Sequence, residues 1–386
     1  MPASGSLVGW GSNLEGQFGA GQASGRATPA SISRITVGLT SKTVKILAAG
    51  VSHSLAVTDD NQIFVWGKND YGQLGVGDTE NRRLPTAVSD LNGLLTGKTI
   101  AEVSLGTHHT LVRTADNVLV AWGRNDFGQL GNGNTVQQPY PVSVIMTGAM
   151  AGRTVSKIAA GGQHNLVCTT DGNVYAWGLG TSGQTNPFYN TVTSSPILAT
   201  NIGVSAGRLV QSVAAGANHS VALLQGGTSL FAWGTATANG STTTTWNPTA
   251  VVMTGTLSGK TVTALASSPG SNHTLVLTSD GMVAGWGQNP NSELGNDSTT
   301  NTTAPVAVTA SGFGGKLAVA IHAGQNHNYA VAADGSVFGW GLNSNGQLGN
   351  NSLTTLTKPT PVLLAGALSG KTVDSTAYAL GGAHSM

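Results

Sequence analysis

Charge is scarce in this chain: Lys, Arg, Asp and Glu make up 9% of its 386 residues, and 17 basic against 16 acidic side chains leave a formal charge of +1. That near-neutrality excludes an electrostatic footprint for nucleic acid or for an anionic membrane. Cysteine is almost absent. Cys168 stands alone, so no internal disulfide can form, and with no acid, base or second thiol patterned around it the residue reads as a small core side chain. Long apolar runs are missing as well, none approaching the ~18 residues of a membrane helix. The start MPASGSLVGWG lacks the charged and apolar regions of a secretion signal. A soluble chain without membrane insertion is expected, and no compartment is indicated. Few charges and 55 glycines argue against long amphipathic helices and for short strands joined by turns that need φ > 0. Regularly spaced hydrophobic residues, 39% of the total, argue against disorder.

What is present is a repeat. The dipeptide Trp-Gly occurs at Trp10, Trp66, Trp122, Trp177, Trp233, Trp286 and Trp340, with spacings of 56, 56, 55, 56, 53 and 54. A Gly three residues before a His keeps the same beat at His53, His109, His164, His219, His273, His327 and His384. Prolines at Pro29, Pro85, Pro141, Pro196, Pro248, Pro305 and Pro361 form a third series, read as the first residue of an edge strand, where a missing N–H costs no ladder bond.

One unit, from Thr99 to Val144, reads as four strands: TIAEVSLG, then HTLVRT, a turn at Asp116-Asn117, VLVAWG, and an outermost PVSV. Asp-Gly marks the equivalent turn at Asp171, Asp280 and Asp334, a strong hairpin signal. A lone four-stranded sheet cannot bury both faces, so the units must stack, and radial stacking gives a seven-bladed β-propeller of antiparallel blades. Small residues end each first strand, as in Ala48-Ala49-Gly50 and Ala159-Ala160-Gly161, which suits convergence on an axis. The tryptophans are expected to fill the gaps where blades diverge. Met386 aligns with Leu55 and Leu7 with Ile63, so the N- and C-terminal strands should pair and close the ring. Residues 1–386 are expected to form one all-β domain of seven repeats of about 55 residues.

The string Ala48 to Gly75, AAGVSHSLAVTDDNQIFVWGKNDYGQLG, resembles the repeat of the regulator of chromosome condensation family. It recurs as WGRNDFGQLG from Trp122, WGSNLEGQFG from Trp10 and WGLNSNGQLG from Trp340. The resemblance covers essentially the whole chain and implies the propeller fold. It leaves function open, because such propellers include a nucleotide exchange factor for a small GTPase, a plant ultraviolet-B photoreceptor and many scaffolding domains. The exchange factor has an inserted β-wedge and a basic tail; here the units are uniform and neither terminus is basic. The photoreceptor has extra clustered tryptophans; here only Trp246 lies outside the Trp-Gly series. Two units depart from the family loop, WGLGTSGQTN from Trp177 and WGTATANGST from Trp233.

Seven register-matched histidines point to architecture, since a catalytic site needs one asymmetric group of acid, base and nucleophile. Each is expected to donate a hydrogen bond to a backbone carbonyl at a blade seam. His108 and His322 fall outside the register and lack partners at metal-ligand spacing. The strings TGKT at Thr96 and SGKT at Ser258 and Ser369 break phosphate-loop spacing, with Gly255 and Gly366 one position too close. The same slot holds Lys42, Lys98, Arg153, Arg208, Lys260, Lys316 and Lys371. These read either as solvated turn residues or as a basic ring for weak polyanion contact. Asn-x-Ser/Thr sequons occur at Asn218, Asn239, Asn272, Asn296 and Asn301, as chance would supply in so Asn- and Thr-rich a chain.

No catalytic, cofactor or metal residue is assigned. The chain reads as a non-catalytic scaffold that binds a macromolecule, a protein above all, through rim loops after Trp-Gly, with Lys68, Asp70, Tyr71, Arg124, Asp126 and Phe127 as the contact residues. Trp246, in the tract STTTTWNPTA, is either a further contact, stacking on a sugar face, or filler for its own blade. The alternative is a structural or adhesive module of a cell envelope or virion with glycan contact, drawn from the low charge and the Thr/Asn/Gly-rich rims. Guanine nucleotide exchange stands third.

Overall fold

The computed structural model describes residues 7–32, 39, 42–185, 191–200, 207–363 and 379–386. Six four-stranded antiparallel sheets follow the chain, each pairing its strands in sequence order from the axis outward. Blade one is Val44–Ala49, His53–Thr58, Ile63–Gly67 and Arg82–Ala87. Blade two is Ile100–Leu105, His109–Thr114, Leu119–Gly123 and Gln138–Ser143. Blades three to six begin at Val155, Val210, Val262 and Ala318 and repeat the plan; the described helix is three short 3₁₀ turns.

The seventh blade is shared by both ends. Val8–Gly11 pairs on one side with Arg26–Ser31 and on the other with His384–Ser385, and an isolated bridge from Leu380 to Ser385 marks its inner edge. Trp10 faces Ser385 and Gly11 faces His384, the register in which Trp66 faces Ser54 and Gly67 faces His53. Both termini therefore meet in the register expected of one blade.

Core packing lies between blades. Each of seven apolar clusters draws residues from two neighbouring blades and includes a Trp-Gly tryptophan, all seven being essentially buried. The last Gly of the loop motif explains the fit: at Gly75, where φ is +66°, an added Cβ would lie 2.7 Å from Trp122 Nε1 of the next blade. Cys168 is fully buried in the seam between blades three and four, as a small core residue should be. The innermost strands converge on a central cavity of about 280 Å³ lined by Ala48, Ala49, Ala159, Ala160, Ala214 and Ala215 among others.

Two sequence marks need correction. The prolines sit within the outermost strand, not at its start: Arg83, Leu84 and Pro85 lie opposite Trp66 alone, so the missing N–H is placed in a bulge. In blade six the equivalent is the buried Pro359, next to Thr360 opposite Gly339, whereas Pro361 pairs with Phe338 at the strand end. Gly270 also differs from its counterparts. An added Cβ at Gly50 would strike the His53 ring at 2.4 Å, but at Gly270 it would meet Gln325 at 3.0 Å, because the loop before His273 is longer.

Candidate functional site

The loop after Trp-Gly is assembled by residues that cannot point outward. In blade one Gly67 has φ +101°, and a Cβ there would come 2.6 Å from Ser52 O. The buried Asn69 side chain clasps the loop: its amide donates to Asp78 O at 2.9 Å and Glu80 O at 3.0 Å, and its Oδ1 accepts from Leu74 N at 2.9 Å. Gln73 Oε1 accepts from Tyr71 N at 2.9 Å. Blade two repeats the clasp with Asn125 and Gln129. Only the intervening positions are left to face solvent, and these hold Lys68, Asp70 and Tyr71 in one loop and Arg124, Asp126 and Phe127 in the next.

The structure brings these six together and adds one more. The Arg124 guanidinium carbon lies 4.6 Å from the Tyr71 ring centre and 5.4 Å from that of Phe127, while Nε donates to Asp126 at 2.8 Å. Lys68 pairs with Asp70 at 3.1 Å, and this bond raises the pKa of its ammonium. His108, in the hairpin loop before the second strand of blade two, packs on Tyr71 with ring centres 4.9 Å apart. Burial, reinforced by the Arg124 and Lys68 charges, pushes its pKa down to about 4, so it is neutral at pH 7. Sequence reasoning passed over His108 because its ring partner, Tyr71, comes from a different blade.

Trp246 is not part of this cluster. It lies half-buried on the outermost strand of blade four, Thr245–Ala250, where a Cβ on Gly183 of blade three would come 3.0 Å from its Cα and 3.2 Å from its ring. The loop from Trp233 keeps a clasp by other means: buried Asn239 donates to Gly234 O at 2.8 Å, Thr243 O at 3.0 Å and Thr245 Oγ1 at 2.9 Å. That sequon is thereby engaged in the fold.

The histidines form a closed belt, though not to backbone carbonyls as expected. Each Nε2 meets a side chain of the following blade: His53 to Thr110 at 3.3 Å, His109 to Asn165 at 3.0 Å, His164 to Ser220 at 3.1 Å, His219 to Thr274 at 2.9 Å, His273 to Asn328 at 2.8 Å, His327 to Ser385 at 3.0 Å, and His384 to Ser54 at 3.1 Å. Six of these partners donate onward to a carbonyl of the preceding loop, such as Thr110 to Gln73 O at 3.1 Å, which also accepts Trp122 Nε1 at 2.9 Å. A partner that donates its own proton must accept from histidine, so those six rings carry their proton on Nε2. Burial is the first cause that depresses all seven, to about 3 for His164, His219, His327 and His384.

The basic series on the opposite face lies at the solvent surface, as turn residues should, but its charges are largely paired and so make no basic ring. Lys42, Lys98, Arg153, Lys260 and Lys316 pair with Asp60, Asp116, Asp171, Asp280 and Asp334 in the hairpin turns of their own blades. Arg208 instead donates to Thr228 Oγ1 at 2.9 Å. Lys371, Ser369 and Gly366 lie outside the described residues. Among the described residues no group of three or more His, Cys, Asp or Glu could hold a metal ion, and no helix is long and apolar enough to cross a membrane.

Family models of the regulator of chromosome condensation (RCC1) repeat match residues 60–113, 117–168, 280–331 and 334–386, and a second such model matches 44–73, 100–129, 155–184, 210–239, 262–293 and 318–347. The chain belongs to the regulator of chromosome condensation repeat family. Over 351 residues it is 29% identical to the ultraviolet-B receptor UVR8 of Arabidopsis thaliana, covering 88% of this chain and 73% of the receptor. It is 28% identical to the human E3 ubiquitin-protein ligase HERC2, covering 99% of this chain but only 8% of the ligase. Among solved structures, human WBSCR16 superposes with a TM-score of 0.81 at 24% identity, over 98% of this chain and 97% of that one. Prp20p of Saccharomyces cerevisiae does so at 0.82 with 20% identity, over 98% and 90%. These two likenesses carry the fold alone.

Proposed function

We propose that this RCC1-repeat propeller is a scaffold that binds a protein partner through the face carrying the loops after Trp-Gly, centred on blades one and two. The observation that carries this reading is the Tyr71, Arg124 and Phe127 stack with His108 packed beneath Tyr71. Aromatic rings and Arg are enriched among the anchors of protein interfaces, the rings because they bury large area with few rotatable bonds and Arg because its planar fork stacks and hydrogen-bonds at once. The clasped loops hold these groups in place before any partner arrives, which lowers the ordering cost of association. Among the relatives, the Prp20p structure is described together with its binding properties toward Gsp1p and histones, which accords with a protein-binding use of this fold.

Affinity capture with the purified chain, using a Tyr71→Ala/Phe127→Ala variant as matched bait, tests the reading. A partner retained by the former and lost from the latter is expected. Recovery of the same proteins by both baits would refute the assignment of this face.

A further inference from the structure

Three consecutive loops differ in character from those of blades five and six. The two solvent positions of the motif are Leu14-Glu15 in blade seven, Asp70-Tyr71 in blade one and Asp126-Phe127 in blade two, but Pro290-Asn291 and Ser344-Asn345 in blades five and six. Acidic and aromatic side chains thus occur at these two positions along the arc of blades seven, one and two, and not in blades five and six. Within it the two signs of charge lie at different depths. The side chains of Asp70 and Asp126 are 51% and 50% exposed, whereas those of Lys68 and Arg124 are 28% and 19% exposed.

We propose that this arc seats a cationic segment of the protein partner, with Lys or Arg side chains laid against the Tyr71 and Phe127 rings and paired with Asp70 and Asp126. The inference rests on the reading of this face as protein-binding and adds the chemistry of what it takes. Arg124 already shows the required arrangement within the chain: a guanidinium over two rings with a carboxylate on its Nε. In both pairs the outer charge is negative, so a cation approaching blades one and two meets carboxylates first, while an anion would have to displace them to reach the recessed cations. His108 adds no competing charge beneath Tyr71, because it is neutral at pH 7. At the blade seven end, Glu15 is held by Asn81 Nδ2 at 2.8 Å, Leu14 is 73% exposed, and exposed Arg83 lies beside Gly16, so the acidic edge of blades one and two ends there in an apolar contact. The ion pairs of Asp70 and Asp126 are exposed and weak, so each carboxylate can share itself with a second cation at little cost.

Fluorescent peptides of equal length, Arg-Gly-Ser repeats and Glu-Gly-Ser repeats, serve as probes by anisotropy titration against the full chain. Tighter binding of the Arg peptide is expected, weakened roughly tenfold by Asp70→Asn/Asp126→Asn and by a similar factor by Tyr71→Ala/Phe127→Ala. Thermal unfolding of both variants checks that they fold. Preference for the Glu peptide, or Arg-peptide binding unaltered by Asp70→Asn/Asp126→Asn, overturns the proposal. If Tyr71→Ala/Phe127→Ala still weakens binding in that case, the face binds but its charge chemistry is otherwise. If neither double variant changes binding of either peptide, the surface assignment falls with the proposal.

Discussion

Lowering the pH from 7 to 5 should bring this propeller close to unfolding, and the histidine belt sets the size of the effect. Five belt histidines have folded-state pKa values near 3 or 4: His109, His164, His219, His327 and His384. Their Nδ1 atoms are buried without a hydrogen-bond partner, so the neutral ring is the form the fold accepts. In the unfolded chain each titrates near 6.5. Below that value the unfolded state binds more protons than the folded one, so stability falls as pH falls, by ~1.4 kcal/mol per pH unit per histidine, until the folded pKa is reached. From pH 7 to 5 this comes to ~2 kcal/mol each and ~10 kcal/mol for five, comparable to the whole stability of a typical domain, ~5–15 kcal/mol. His53 and His273 shift in the same direction and add to the loss. Denaturant unfolding at pH 7, 6 and 5, followed by fluorescence of the buried tryptophans, measures it. The midpoint should fall steeply with pH, and a His164→Gln variant, which keeps a side-chain amide, should show a shallower pH dependence by about one proton. Equal stability at pH 7 and 5 would refute the belt as the acid-sensitive element.

Three further outcomes follow from the seams. Gly75→Ala should cost at least ~1 kcal/mol from its left-handed backbone, and more from the clash with Trp122, read as a lower unfolding midpoint and an altered tryptophan emission. Deletion of residues 379–386 removes the His384 and Ser385 links and the buried Met386, so differential scanning calorimetry should show a loss of several kcal/mol, at ~1 kcal/mol per bond plus ~2–5 for the methionine. An unchanged melting temperature would count against closure by both termini. Cys168 should resist a thiol-reactive chromogen in the native state and react on unfolding, since burial raises its thiol pKa and denies access.

Most of the scaffold was legible because each letter of the loop motif answers a steric or hydrogen-bonding demand. Gly67 and Gly75 sit where a Cβ would collide, Asn69 fills a buried clasp, and Trp66 bridges a seam, so the letters recur with the period of the fold. What escaped were choices between equivalent marks. Pro359 and Pro361 lie two residues apart, and only strand register tells them apart. The glycine before His273 matched the spacing but belongs to a longer loop. The charge ring was readable in principle: Lys42 to Asp60, Lys98 to Asp116 and Arg153 to Asp171 all span 18 residues. Of the candidate site, the six loop residues could be named in advance because they fill the positions the clasp does not use. His108 could not, since its contact with Tyr71 crosses a blade boundary.

This interleaving bears on how a sevenfold scaffold acquires a one-sided function. Within one ten-residue loop, Asn69, Gly72, Gln73 and Gly75 face inward and are bound to the fold, while Lys68, Asp70 and Tyr71 between them face out. Substitutions at the second set leave the clasp intact, so surface chemistry can diverge blade by blade with little change in stability. The same separation lets the arc be altered experimentally without unfolding the ring: Asp70→Asn should leave the unfolding midpoint nearly unchanged, whereas Asn69→Asp should lower it. The aspartate would lose the amide donors to Asp78 O and Glu80 O and set a buried carboxylate against those carbonyls, a cost of several kcal/mol. Matched melting curves for the two variants decide whether recognition and folding are divided between alternate residues of one loop. Equal destabilisation by both would show that they are not.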